Sequence, residues 1–312
     1  MTARLLHSVV LGCAVLSLTA CVSRDSGGQS TDGQVVADRL NARYLNIVDD
    51  CAGQPAYLCS GVAVRVLDPF NSDLQPLDPT PTQIARNGAS FSFARRDLGV
   101  RRLYQMGWAG YVVGLQEASG FVPLRARCAF PVDAYTDSRP DSCGYSRFDM
   151  SPTLQSRPCA EQGINSPQAW GSYFATIADQ RFSCSFDSDT KGFLHSMQSR
   201  PFIPEDSPRH DQWNELIIAI WSQEEVSRLP VEAVFYYPVD GVPFWRVQQH
   251  QCRIYFATGR RVPLLKLDLT GREDAVFSFD QADQIDFETV APDCDHLSDA
   301  AAAIAPAKQF PG

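Results

Sequence analysis

The sequence predicts a single α+β domain stapled by disulfides. Three observations lead there. Short β-branched or alternating runs are interleaved with two segments of helical periodicity. No Pro/Gly/Ser-rich linker separates two units within residues 35–297. That stretch also holds eight cysteines: Cys51, Cys59, Cys128, Cys143, Cys159, Cys184, Cys252 and Cys294.

The elements follow in chain order. Gln34 to Cys51 carries Val36, Leu40, Tyr44 and Ile47 near helical spacing. Val62 to Leu67 is a β-branched strand between Gly61 and Pro69. Gly88 to Ala94 alternates strictly, so Ser90 and Ser92 share one face and Phe91 and Phe93 face the core. Tyr111–Leu115 and Phe121–Phe130 are further strands. Ser166 and Pro167 open a helix as N-cap and first residue, with Trp170, Phe174 and Ile177 inward. Leu216–Trp221 and Val231–Tyr237 are strand-like. Cys252–Ala257, a Thr258-Gly259 turn and Val262–Leu267 read as a hairpin whose second strand, with Pro263, belongs at an edge. The central strands are expected to pack on the two helices.

The N-terminus predicts export. Residues 1–20 form a signal peptide with one positive charge, Arg4, and an apolar core from Val9 to Leu18. Leu18-Thr19-Ala20-Cys21 resembles a bacterial lipobox, which makes Cys21 the lipidated first residue of the mature chain. Val22 after it, rather than Asp, resembles the outer-membrane pattern, placing the protein in the cell envelope, periplasmic or surface-facing. The membrane partner is then reached through the acyl chains on Cys21. Residues 21–34 read as a flexible tether and 298–312 as a disordered tail.

The eight remaining cysteines suit an oxidising compartment, and their clustering favours the pairs 51–59, 128–143, 159–184 and 252–294. Zinc is the competing use, but no pair has C-x-x-C spacing, and no metal is expected. A net charge of -9 without a basic run excludes a general nucleic-acid binder. Dinucleotide, Walker, nucleophile-elbow and H-E-x-x-H signatures are absent. His195, His210, His250 and His296 are scattered and read as surface or capping residues. Glu224 and Glu225 read as a solvated pair, and Asp286 and Glu288 lie in a segment without a partner signal. These spare carboxylates leave a different hydrolase as a third option.

One constellation carries chemistry. Arg65 lies within a strand, where a charge needs a partner or a ligand. Ser90 and Ser92 share a strand face, and Glu215 immediately precedes an apolar strand. Arginine, Ser-x-Ser and glutamate in that order resemble the Arg-Ser-Glu class of ADP-ribosyltransferase-fold enzymes. Further stretches resemble the secreted bacterial halovibrin family of NAD glycohydrolases and ADP-ribosyltransferases. They include Leu40-Asn41-Ala42-Arg43-Tyr44, Pro55-Ala56-Tyr57-Leu58-Cys59-Ser60-Gly61 and Gly88-Ala89-Ser90-Phe91-Ser92. Cys128-Ala129-Phe130-Pro131-Val132-Asp133-Ala134, Gln162-Gly163-Ile164, Trp213-Asn214-Glu215-Leu216 and the Thr258-Gly259 turn complete the match.

The resemblance implies a mixed sheet with flanking helices and NAD as substrate, with no resident cofactor. Arg65 would hold an NAD phosphate. Ser90, with Ser92 as second choice, would orient the ribose or the glutamate. Glu215 would accept a hydrogen bond from the ribose 2′-hydroxyl and stabilise the oxocarbenium-like charge as nicotinamide leaves. Arginine-modifying relatives carry a second glutamate two residues before the catalytic one, where this chain has Trp213 preceded by Gln212. That departure favours water as acceptor. Gln223-Glu224-Glu225 is a rival pattern but follows a strand instead of opening one. The long stretch between Ser90 and Glu215 implies that the Cys128–Cys184 region is an insertion. The competing expectation is a non-catalytic outer-membrane lipoprotein that binds an envelope or host partner through its surface.

Overall fold

The structure is a computed structural model that describes residues 33–67, 76–103, 108–136, 139, 141–144, 157–237, 244–270, 275–294 and 297. The expected signal peptide, Cys21, nearly all of the tether, His296 and the 298–312 tail lie outside the described residues. Gly33 and Gln34, assigned to the tether, already belong to the first helix.

The fold is α+β, built on one nine-stranded mixed sheet of order β5-β4-β6-β2-β1-β3-β7-β8-β9. Its strands are β1 (Val62–Val66), β2 (Ala89–Ala94), β3 (Ala109–Val113), β4 (Ala126–Phe130), β5 (Phe186–Asp187), β6 (Glu215–Ile218), β7 (Val231–Tyr236), β8 (Leu264–Leu267) and β9 (Phe277–Phe279). Helices α1 (Gly33–Leu45), α2 (Pro81–Arg86), α3 (Pro167–Phe174), α4 (Thr190–Ser199) and α5 (Phe244–Thr258) flank it. All strand pairs are antiparallel except β7 with β8. The four disulfides pair Cys51 with Cys59, Cys128 with Cys143, Cys159 with Cys184 and Cys252 with Cys294.

Much of this follows from local chemistry. In β2 the apolar alternation buries Phe91 and Phe93, each 1% exposed. Ser166 caps α3 by accepting from Ala169 N–H, and Pro167 fills the first position, where no N–H is needed. Trp170 and Phe174 stack with ring centroids 4.6 Å apart and, with Ile177 just past the helix, form a second core beneath the Cys159–Cys184 bridge.

Four sequence expectations need correction. The expected hairpin is a helix followed by a strand. Cys252–Ala257 lies in α5, Gly259 takes the left-handed turn after it at φ +66°, and α5 is the crossover that the parallel β7–β8 pair requires. Pro263 therefore does not mark an edge, since β8 lies between β7 and β9; its carbonyl accepts from Val234 N–H just before the strand begins. The first helix stops at Leu45 and leaves Ile47 exposed, while Asn46 N–H closes the last turn on Ala42. Only Ala126–Phe130 of the Phe121–Phe130 run is strand. The Cys128–Cys184 region takes in the end of β4 and all of α3, and β5 follows directly after it in the same sheet.

What positions the site is the way β2 changes partners. β2 pairs with β6 through Ala89, Ser90 and Phe91, and with β1 through Ser92, Phe93 and Ala94. The sheet therefore parts on either side of β2. Below β6, the Asn214 carboxamide substitutes for a strand: Phe93 N–H donates to Asn214 Oδ1 at 2.8 Å, and Asn214 Nδ2 donates to Phe93 O at 2.9 Å. Asn214 is buried, so both backbone groups depend on it. Asn214→Leu should cost about 2–4 kcal/mol in a denaturant titration, because two buried backbone groups lose their partner. A cost below about 0.5 kcal/mol, the range of an ordinary surface change, would show that the clamp is dispensable.

Candidate functional site

The parting of the sheet opens a cleft of about 310 Å³. Arg65, Ser90, Ser92, Asp133, Tyr135, Thr136, Trp213 and Glu215 line it. The four residues that the sequence nominates for NAD chemistry thus meet in one cavity. Register explains how. Ser92 stands opposite Val64, and Ser90 opposite Ile217, so Ser90, Ser92 and Glu215 project from the same face. Arg65 alternates onto the other face, over the Phe91 ring at 5.6 Å. It reaches the cleft because β1 no longer pairs with β2 at that level, and its Nη1 donates to Ser90 O at 3.0 Å. One guanidinium edge is thereby fixed while the residue stays only partly buried.

Glu215 begins β6 and is 6% exposed. Its Oε2 accepts from Ala134 N–H at 3.2 Å. Burial pushes its carboxyl up from an ordinary 4.5 to about 8, and the Asp133 carboxylate adds to the rise. Ala134 N–H, the Arg139 guanidinium and hydrogen bonding from Ser90 act in the opposite sense. Ser90 Oγ also lies 2.9 Å from Thr136 Oγ1. Asp133 is held by Arg209 Nη1 at 2.9 Å.

The residues that sequence reasoning passed over lie mainly on the segment after β4. The Cys128–Cys143 bridge closes this segment at both ends. It carries Asp133, Ala134, Tyr135 and Thr136 to the cleft and Arg139 behind Glu215. Asp133 and Ala134 stand in one of the stretches that carried the family resemblance, which was the available signal. Arg139 is fully buried, lies over the Phe130 ring at 4.5 Å and donates through Nη2 to the carbonyls of Arg181 and Ser183. Burial lowers its pKa to about 10, and Glu215 is the strongest influence holding it up. Arg200, also buried, donates to the carbonyls of Leu98, Pro131, His210 and Gln212, which ties the approaches to Asp133 and Trp213 together.

The remaining candidates lie elsewhere. Glu225 caps a 3-10 helix (Gln223–Arg228) by accepting from Ser222 N–H. Glu288 pairs with Arg261, and Asp286 caps the turn through Thr289. His250, in α5, is partly buried. It packs at 5.7 Å from the Trp108 ring, and burial followed by Arg253 and Arg246 lowers its pKa to about 4. No group of three or more His, Cys, Asp or Glu side chains among the described residues could hold a metal. Among the described residues, no helix is long and apolar enough to cross a membrane. Comparison with protein-family models, curated proteins and solved structures finds no match to this chain.

The raised pKa of Glu215 has a consequence for stability. The native state holds a proton that the unfolded chain releases above about 4.5, so this stabilisation is complete below that pH and is lost as pH rises through about 8. Glu215→Gln removes the ionisation. It should raise the melting temperature by several degrees at pH 8.5, on the order of a few kcal/mol, and change it little at pH 4.5. Equal melting temperatures of the variant and the wild type at both pH values would contradict a buried carboxyl with a raised pKa.

Proposed function

We propose that this protein cleaves NAD to nicotinamide and ADP-ribose, with water as acceptor. The observation that supports it most is the placement of Glu215 as a buried carboxyl in the same cleft as Arg65 and Ser90. We extend the same proposal to an ADP-ribosyltransferase-like organisation of the split sheet and to an exported, lipid-anchored protein.

Each group has a chemical task. The bond between ribose C1′ and the nicotinamide nitrogen breaks with its electron pair leaving on nicotinamide, which becomes neutral. Positive charge then appears on the ribose. Glu215 as carboxylate, in a site shielded from bulk water, stabilises that charge more than it stabilises the ground state. Water adds its oxygen to C1′ and gives up a proton. Ser90, beside the glutamate in the cleft and 2.9 Å from Thr136 Oγ1, orients the carboxylate. Arg65 offers its free guanidinium edge to a substrate phosphate. Trp213 lines the cleft two residues before Glu215, at the place where an arginine acceptor would need a base.

Nicotinamide release by the oxidised protein is the direct test. Glu215→Gln should lower kcat by at least about 10²-fold with folding intact. Arg65→Lys should act mainly on KM, since charge is kept but the planar fork is lost. The glutamate must be ionised to act, so kcat/KM should climb with pH, reach half its maximum near 8 and level off about one unit higher. Asp133→Asn removes one cause of the raised pKa and should move that limb to lower pH; Arg139→Met should move it higher. Full activity in Glu215→Gln, or no release by folded wild-type protein, would refute the proposal.

A further inference from the structure

Trp213 lines a second cavity as well. This one is larger, about 530 Å³, and its walls are Arg101, Arg102, Leu103, Gln212, Tyr237 and the Lys266–Thr270 stretch. Its floor and its rim differ in chemistry. Leu103, Leu267 and Leu269 are buried and join Trp213 and Tyr237 in an apolar and aromatic surface. Arg101, Arg102 and Lys266 are exposed at its edge. Arg102 pairs with Asp211 at 3.3 Å, whereas Arg101 and Lys266 have no ion-pair partner among the described residues. Asp268, the one carboxylate among the described residues of the lining, accepts from Thr270 N–H and Oγ1. A cationic rim is a local departure in a chain of net charge -9. Flat rings suit the aromatic floor, and phosphates suit the rim.

We propose that this cavity binds a phosphorylated purine nucleoside, its ring against Trp213 and Tyr237 and its phosphate on Arg101, Arg102 and Lys266. Resting on the NAD-cleavage reading, it takes the adenosine half of the dinucleotide whose nicotinamide ribose lies at Glu215. Arg65 serves the pyrophosphate, so Arg101 and Lys266, with Arg102 beside them, are left for a further phosphate on the adenosine ribose. The preferred substrate is then the 2′-phosphorylated dinucleotide, NADP, over NAD. Selectivity arises at the rim, away from the bond that breaks.

The test uses the full chain and 2′,5′-ADP as probe, with AMP beside it, in calorimetric titrations at low salt. The expected result is 2′,5′-ADP binding at least about tenfold tighter than AMP, an advantage lost in Arg101→Glu combined with Lys266→Glu. The single Lys266→Ala, at an exposed position of β8, should lose part of it. In turnover the double variant should lower the NADP-to-NAD ratio of kcat/KM, yet leave cleavage of nicotinamide mononucleotide unchanged, because that substrate lacks the adenosine half. No binding of 2′,5′-ADP, or equal binding by wild type and variant, overturns the site even if NAD is cleaved. Binding that depends on the rim cations, in a protein that cleaves none of the three substrates, upholds the site and refutes the cleavage reading instead.

Discussion

β2 serves two strands with different halves of its length, and the rest of the structure depends on that handover. A six-residue strand that paired fully on both sides would close the sheet and leave no cleft. Here Ala89–Phe91 belong to β6 and Ser92–Ala94 to β1, so each neighbour is released where the other is engaged. The freed backbone groups must still be satisfied in a buried setting. Two side chains do this. Asn214 takes both polar groups of Phe93, and Arg65 takes the carbonyl of Ser90. Both residues therefore hold the sheet open while satisfying it, and one of them keeps part of its guanidinium for the cleft.

The cost of the arrangement is concentrated at Glu215. A carboxyl without solvent favours its neutral form, and Asp133 beside it strengthens that preference. Arg139 is the main cationic counterweight, buried behind Phe130, the residue that faces Glu215 across the β4–β6 pair. Its Nε and Nη1 have no hydrogen-bond partner among the described residues. It thus contributes charge to the site more than it contributes bonds. The loop that carries Asp133, Ala134 and Arg139 is bracketed by the Cys128–Cys143 bridge, which places a disulfide directly in support of the carboxyl's environment. Stability and chemistry pull in opposite directions at this residue: replacing the acid relieves the fold and removes the charge that catalysis would use.

How much could be read from the sequence depended on whether local chemistry or tertiary partners decide an element. Strict alternation made β2 legible, and the Ser166-Pro167 pair made the start of α3 legible. Clustering made the disulfide pairs legible, because each bridge joins neighbouring cysteines in the chain. α5 was not legible. Its run of Ile254, Tyr255 and Phe256 has strand-like residues, and its buried stripe of Val247, Gln251 and Ile254 is interrupted by a polar side chain. Gln251 is fully buried because it bridges Val262 O, Gln284 and Ile285 N–H, partners that no local pattern shows. The same holds at the site. Arg65, Ser90 and Glu215 stand out by order and strand context, whereas Asn214, Asp133 and Arg139 gain their roles only from what folds against them.

Infrared difference titration of the carboxyl groups tests the central claim most directly. Wild-type protein and Glu215→Gln would be compared between pH 4 and 10. One protonated carboxyl band should persist above pH 6 in the wild type, disappear near pH 8, and be absent from the variant. A wild-type protein with no such band above pH 6 would mean that Glu215 is ionised like an ordinary surface acid. The buried cleft on which the proposed chemistry rests would then be contradicted.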